Sequence, residues 1–186
     1  MTDRPQERNA LLLMDFQTSV IPAFGGDNRL LRRIAELSEA TRHRDVDVVH
    51  VRISLPRGLA EVGPANRVFT EVATSLASEA DTGVHPAIAP AADDFVVTKK
   101  RVSAFSGSDL DLLLRARRIG TVVLAGVSTS GVVLSTVRQA ADLDYRIVVL
   151  ADGCADSDDD VHSVLLRKVF PPQADVMSIG DWSTSL

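Results

Sequence analysis

Short, mostly apolar runs alternate along this chain with longer segments in which apolar residues recur at helical spacing. The first pattern is typical of buried strands, and the second is typical of helices packed on a sheet. The strand pattern covers residues 9–14, 46–53, 94–98, 121–125, 146–151 and 174–179, and the helix pattern covers 30–40, 109–118, 130–142 and 159–169. Strands that alternate with helices favour a parallel sheet covered on both faces. We therefore predict a three-layer α/β/α Rossmann-like fold, with a six-stranded parallel sheet in the order 3-2-1-4-5-6.

The stretch between the second and third predicted strands interrupts this alternation. Residues 54–90 are rich in Gly, Pro and Ala and contain one short predicted helix at 68–75. A long excursion of this kind often builds a binding pocket. The chain has no internal repeat, low-complexity tract or linker, so we predict a single domain over residues 1–186.

Composition and charge narrow the range of partners. Of the 186 residues, 45% are hydrophobic, which is enough for a full core. The formal net charge is -5 and no basic block could follow a phosphate backbone, so nucleic acid is not an expected partner. The N-terminus is polar and no apolar run approaches the roughly 20 residues of a membrane span, which predicts a cytoplasmic protein without a membrane partner. The single cysteine, Cys154, cannot form an internal disulfide.

Three chemically useful features follow strands of the predicted sheet, at the edge where the carboxyl ends of those strands lie. Asp15 ends the first strand, Lys99 follows the third, and a turn rich in Gly, Ser and Thr at residues 126–133 follows the fourth. Each has an ordinary alternative, because an Asp after a strand is often a turn residue or helix cap and a Lys before a loop is usually solvated. Together they predict a site for proton transfer and anion stabilisation at the carboxyl edge of the sheet.

Four segments resemble the isochorismatase-like hydrolases, also called the cysteine hydrolase superfamily. They are LLLMDFQ at 11–17, TKKRVSAFSGSDLD at 98–111, LAGVSTSGVVLSTVRQAADLDY at 124–145 and VVLADGCAD at 148–156. The resemblance implies that Asp15 is the catalytic acid/base and Lys99 the catalytic lysine. It also implies a cis peptide bond between Val127 and Ser128, in the turn that binds the oxyanion. The family's nucleophilic cysteine falls on Val132.

Valine cannot perform the thiolate attack that the cysteine members use. The isochorismatases proper also lack the cysteine, and they are understood to protonate a vinyl ether through the aspartate so that water attacks the resulting cation. The resemblance therefore implies a small-molecule hydrolase that uses Asp15 and Lys99 without a cysteine nucleophile. The alternative is a catalytically inactive family member that acts as a binding or accessory protein. A flavodoxin-like or dinucleotide-binding module is a further alternative, but no GxGxxG sequence follows the first strand.

Other side chains near these motifs are candidates for substrate binding. The substrate contacts predicted from the motifs are Phe16, Gln17, Arg101, Phe105 and Ser130. An anionic substrate is favoured by three arginines near the motifs, Arg52, Arg57 and Arg101, although loop arginines are mostly solvated. The hydroxyls of Ser128, Thr129 and Ser130 serve equally well as caps of the following helix.

No cofactor or metal is expected from the residue pattern. The zinc-binding relatives carry an Asp-and-His cluster after the second strand, where this chain has only His50. His43, His85 and His162 are dispersed, and we expect them on the surface. We expect a structural role for Cys154 rather than a catalytic one.

Association is the last expectation. Members of the resembled family are commonly oligomers, and helices at 134–143 and 161–169 carry apolar residues on more than one face. We predict a homodimer or homotetramer whose interface includes Val137, Val164 and the corner at 170–172. The alternatives are ordinary exposed hydrophobic residues and packing against the excursion at 54–90.

Overall fold

A computed structural model describes residues 8–75 and 82–186, and they contain a six-stranded sheet with helices around it. The strands are β1 (Arg8–Met14), β2 (Val46–Ile53), β3 (Phe95–Lys99), β4 (Ile119–Val127), β5 (Arg146–Ala155) and β6 (Asp175–Met177). Their order is β3-β2-β1-β4-β5-β6, and all five pairs are parallel. The predicted fold class and strand order are confirmed. With parallel strands in this order, the carboxyl ends of β1 and β4 lie side by side.

Six α-helices accompany the sheet in the described part of the chain. They are α1 (Asn28–Arg42), α2 (Arg67–Ser75), α3 (Leu110–Ala116), α4 (Leu134–Asp142), α5 (Asp159–Val164) and α6 (Ile179–Ser185). Short 3-10 helices lie at Ile21–Phe24, Gly58–Glu61 and Pro86–Ile88, and π-helical turns lie at Thr129–Val133 and Leu165–Val169. The predicted helix at 130–142 is therefore a π-helical turn followed by α4.

The end of the chain differs from the prediction. The last strand stops at Met177, where the prediction continued it to residue 179, and α6 follows at once. Ser178 explains the change, because its side chain accepts a hydrogen bond from the backbone N–H of Asp181 and so caps α6. Trp182 of this helix is only 4% exposed, which anchors the C-terminal segment on the sheet.

The central strand β1 is buried on both faces. Ala10, Leu12 and Met14 pack into the core on one side of the sheet. Leu11 and Leu13 pack into the core on the other side. Burial on both faces explains why this strand is a continuous apolar run rather than an alternating one.

Two residues of the apolar patch predicted for an interface are internal, whereas Val164, Pro171 and Pro172 are exposed. Val137 and Phe170 are both 0% exposed and belong to the core, so the prediction that they lie on the surface is wrong. Val164 is 43% exposed and its neighbour Val161 is 40% exposed. Across residues 8–75 and 82–186, no helix has both the length and the apolar character needed to cross a lipid bilayer.

Candidate active site

Asp15 stands at the point where β1 ends and the chain turns away from the sheet. Its φ is 58°, in the left-handed region that Asp and Asn adopt more readily than most side chains. Its backbone N–H donates to Val51 O at 2.8 Å, and its carbonyl accepts from Gln17 N at 2.8 Å. These bonds fix the start of the turn, so the Asp15 carboxyl is held at the carboxyl edge of the sheet.

Lys99 ends β3 and reaches Asp15 from two strands away. Its Nζ lies 2.9 Å from Oδ2 of Asp15, and the two side chains are 2% and 10% exposed respectively. The same ammonium donates to the backbone carbonyls of Arg101 and Val102, each at 3.0 Å. An ammonium has three donors, and all three are engaged. Lys99 is therefore fixed in place as a buried cation beside the carboxyl.

The second carboxyl oxygen of Asp15 has a different environment. Oδ1 is buried and has no hydrogen-bond partner among the residues that the structure describes. Burial raises the pKa of the Asp15 carboxyl above its usual range, although the Lys99 ammonium acts in the opposite direction. A carboxyl with a raised pKa is suited to donate a proton. Oδ1 is the oxygen that is left for a bound molecule, because Oδ2 is held by Lys99.

The turn after β4 brings a third element to this edge. The peptide bond between Val127 and Ser128 is cis, as the resemblance implied. In the register of the sheet Gly126 lies beside Met14, and a Cβ on this glycine would lie 3.0 Å from Met14 O. The absence of a side chain at Gly126 therefore lets the turn pack closely against the end of β1.

Hydrogen bonds hold the turn in shape. Ser128 Oγ accepts from Gly131 N at 3.0 Å, which is the capping role that the sequence left open for this hydroxyl. The backbone N–H of Ser130 donates to Asp156 Oδ2 at 2.6 Å. Asp156 was not among the predicted site residues, although it ends the motif at 148–156. Ser130 itself is exposed.

Val132 lies inside the protein. It is 2% exposed and belongs to the same hydrophobic cluster as Met14, the residue before Asp15, and Val97 of β3. Its isopropyl group therefore packs with the elements that carry Asp15 and Lys99. A side chain of this kind offers shape but no nucleophile and no proton.

Three side chains that were predicted to contact the substrate are engaged with other parts of the protein. Gln17 is fully buried, and its amide accepts from Ile53 N and donates to the carbonyls of Ile53 and Thr82. Phe16 is 2% exposed and packs in the core beside β1. Phe105 packs in the opposite core with its ring 6.1 Å from that of Tyr145. These surroundings favour structural roles over the substrate contacts that the motifs predicted.

The arginines near the site are also engaged. The Arg101 guanidinium lies over the ring of Phe69, 5.2 Å from its centre, and donates to the carbonyls of Lys100 and Glu61. Arg52 donates to Thr98 Oγ1 at 3.2 Å. Because the Arg101 carbonyl also holds Lys99, this residue ties the excursion between β2 and β3 to the candidate site.

The histidines differ from one another. His50 is 1% exposed, and its Nε2 lies 3.1 Å from Asp94 Oδ2. The side chain of His43 is 77% exposed, as expected. His162 is half-buried and its Nδ1 lies 2.8 Å from Thr129 Oγ1, so this expected surface residue also contacts the turn after β4. Within the described chain, no cluster of His, Cys, Asp and Glu side chains could hold a metal ion.

Cys154 has the character of a structural residue. It is 6% exposed, and burial raises the pKa of its thiol to about 12. A thiol with such a pKa stays protonated at neutral pH, so it is a poor nucleophile.

Together, the parallel sheet and the buried Asp15–Lys99 pair define a Rossmann-like α/β protein with a buried carboxyl–ammonium contact at the carboxyl edge of the sheet. The model of the isochorismatase domain matches residues 9–181, so the chain belongs to the isochorismatase family. It is 29% identical over 185 residues to the uncharacterised isochorismatase family protein YecD of Escherichia coli O157:H7, and the match covers 97% of each chain.

Two further relatives extend the comparison. Maleamate amidohydrolase of Pseudomonas putida is 29% identical over 178 residues, and the match covers 92% of this chain and 84% of that protein. The solved structure of an isochorismatase family protein from Burkholderia thailandensis superposes with a TM-score of 0.82 at 26% identity, covering 98% of this chain and 97% of that one.

Proposed function

We propose that this protein is a small-molecule hydrolase in which Asp15 transfers the proton and Lys99 holds and stabilises the carboxylate. The observation that carries the proposal is that the two oxygens of the Asp15 carboxyl have different environments. Oδ2 is bound by Lys99 at 2.9 Å, whereas Oδ1 is buried and unpartnered within the described chain. A buried polar atom without a partner costs free energy, and a substrate group that bonds to it recovers that cost.

Hydrolysis of a vinyl ether is the reaction that suits this pair best. Protonated Asp15 gives its proton to the terminal alkene carbon. The other alkene carbon then carries the positive charge, which it shares with the ether oxygen as an oxocarbenium ion. The carboxylate formed in this step is stabilised by the adjacent Lys99 ammonium. Water adds to the cationic carbon and returns a proton to Asp15, and the resulting hemiketal splits into a ketone and an alcohol. No covalent intermediate with the protein is required.

Val132 supports a route without a cysteine. The resemblance places the nucleophile of the cysteine members at this position, where the chain carries a buried aliphatic side chain. Because the maleamate relative is an amidohydrolase, related C–N hydrolysis belongs to the same proposal, with water as the nucleophile and Asp15 as the proton carrier.

A binding or accessory protein is the second candidate function. The observation that favours it is again Val132, because a family fold without a nucleophile can keep its pocket and lose its chemistry. The Asp15–Lys99 pair favours catalysis over this alternative, since burying two charged groups is expensive unless they serve a purpose.

A substrate panel separates the two functions. The native protein is incubated with vinyl ethers, amides and esters of small carboxylic acids, and products are identified by mass spectrometry. Turnover that persists in a Cys154→Ser variant supports hydrolysis without a cysteine, because Cys154 is the only cysteine in the chain. Activity that disappears in that variant contradicts the proposed chemistry, and no turnover of any compound favours the accessory function.

We also propose that the protein forms a homodimer or homotetramer. The exposed valines of α5, Val161 and Val164, support an apolar contact between copies. Val137 and Phe170 are internal, so the proposed contact uses less apolar surface than the sequence predicted.

A further inference from the structure

A cleft lies at the carboxyl end of β5, next to the start of α1. Its volume is about 460 Å³. The residues that matter for its chemistry are Arg29, Leu30, Arg33, Cys154, His162 and Leu166. Leu30, Cys154 and Leu166 provide apolar wall surface, and the buried thiol of Cys154 stays protonated. A concave apolar surface with a few polar groups is the usual form of a small-molecule site.

The hydrogen bonds of His162 determine which nitrogen of its ring is left to bond with a ligand in the cleft. Thr129 Oγ1 lies 2.8 Å from His162 Nδ1 and donates to the carbonyl of Ala155 at 3.2 Å. A carbonyl oxygen only accepts, so the single hydroxyl proton of Thr129 goes to Ala155. Both contacts are hydrogen bonds at once only when His162 donates from Nδ1, and in the neutral ring of that tautomer Nε2 carries the lone pair. Nε2 is the nitrogen left for a ligand, and it accepts a hydrogen bond.

The charged groups around the cleft are not equally available. Arg33 donates to the carbonyl of Asp152 and also lies 3.7 Å from its carboxylate. Asp27 accepts from Leu30 N and so caps α1. Arg29 is exposed at the rim, and its guanidinium forms no hydrogen bond or ion pair with other side chains in residues 8–75 and 82–186. Its backbone N–H bonds to the Asp27 carboxylate, to which its charge is also attracted. The groups left for a ligand are therefore one guanidinium and one imidazole nitrogen.

We propose that this cleft is a second small-molecule site, which binds an organic anion that also carries an O–H or N–H donor on an apolar body. The anionic group pairs with Arg29, the donor bonds to Nε2 of His162, and the apolar body lies on Leu30 and Leu166. The site is distinct from the Asp15–Lys99 pair, because its residues lie on α1, on β5 and on α5 and the turn after it rather than on β1 and β3.

The imidazole tautomer is the first test. Nitrogen-15 NMR of the histidine side chains, recorded at pH 8 where free imidazole is neutral, distinguishes a protonated ring nitrogen from a bare one. The expected spectrum for His162 has the proton on Nδ1 and a bare Nε2. A proton on Nε2 overturns the proposal, because the cleft would then present a donor in place of an acceptor.

Mandelate is the probe for binding, since it combines a carboxylate, a hydroxyl and a phenyl ring, and phenylacetate is its match without the hydroxyl. Mandelate is expected to shift the Nε2 resonance of His162 and to bind more tightly than phenylacetate. Arg29→Gln is expected to lower the affinity for mandelate by about threefold to tenfold, the range for losing one partly exposed charged contact. Arg32→Gln, an exposed neighbour that does not line the cleft, is the matched control and should leave binding unchanged.

Three outcomes of the binding experiments would also overturn the site. They are no mandelate binding at millimolar concentration, equal affinity of mandelate and phenylacetate, and equal weakening by Arg29→Gln and Arg32→Gln. None of these measurements uses hydrolytic activity, so the cleft is tested independently of the proposed reaction. Arg29 is exposed, so its replacement leaves the core undisturbed.

Discussion

Oδ2 of Asp15 and Nζ of Lys99 are 2.9 Å apart, and the lysine is additionally fixed by two backbone carbonyls. The two residues lie on strands that are not neighbours, because β2 separates β1 from β3. The contact therefore depends on the left-handed turn at Asp15 and on the loop that follows Lys99. It leaves one carboxyl oxygen fixed and the other available.

Replacing Lys99 should raise the pKa of Asp15 further. Lys99→Met removes the ammonium that now lowers the pKa of this carboxyl, while burial still favours the neutral acid. Carbon-13 NMR of the Asp15 carboxyl measures this rise in its pKa. Lys100→Met is the matched control, because Lys100 bonds to Ser54 and Glu61 instead. An unchanged Asp15 titration in Lys99→Met would show that the pair is not coupled.

Val132→Cys should introduce thiol-dependent chemistry. A thiol at the start of this helical turn would have its pKa lowered by the nearby amide groups and helix dipole. We expect amidase or esterase activity that iodoacetamide abolishes. Val133→Cys places a thiol one residue further along the same turn, where the native side chain is 0% exposed, and should stay inert. If both variants are inert on amides and esters, the position does not correspond to the nucleophile.

Acid should destabilise the protein through His50. Burial lowers the pKa of His50, although Asp94 opposes the shift, so the unfolded chain binds a proton more readily than the folded chain. The free energy of unfolding therefore falls as the pH drops below the ordinary histidine pKa of about 6.5, by at most about 1.4 kcal/mol per pH unit for one proton. Urea unfolding at several pH values should show a shallower fall in His50→Gln. The exposed His43→Gln is the control, and identical pH profiles for the two variants would refute this role of His50.

The oligomer should depend on the exposed face of α5. Light scattering should give a mass at least twice the 20.0 kDa of one chain. Val164→Glu should shift the protein toward the monomer, since it places a charge in an apolar contact. Leu112→Glu, on α3 with 72% exposure, should not. A mass near that of one chain throughout a dilution series would contradict the association.

The periodicity of apolar residues was sufficient to predict the fold. Strands of a sheet that is buried on both faces are continuous apolar runs, and the helices that cover the sheet are amphipathic. The errors have local physical causes. The Ser178 cap ended the last strand early, a one-residue effect that an apolar pattern does not register. Gln17 looked like a site residue beside Asp15, but only the folded chain brings its amide to the backbone of Ile53.

Part of the candidate site was also predictable from the sequence. Asp15 and Lys99 could be placed at one sheet edge because the carboxyl ends of parallel strands share that edge. The partners of the turn could not be read in the same way. Asp156 and His162 reach Ser130 and Thr129 from the segment after β5, and the spacing of residues does not reveal which way a loop side chain points.

The central claim is that Asp15 carries the proton, and Asp15→Asn tests it most directly. Asparagine keeps the size of the side chain and tolerates the left-handed backbone, so the fold should be retained. Asp93→Asn, an exposed aspartate before β3, is the control. The measurement is kcat/KM on the substrate that the native protein turns over best. A loss of about hundredfold or more with unchanged circular dichroism is predicted, whereas full activity in Asp15→Asn would contradict the account.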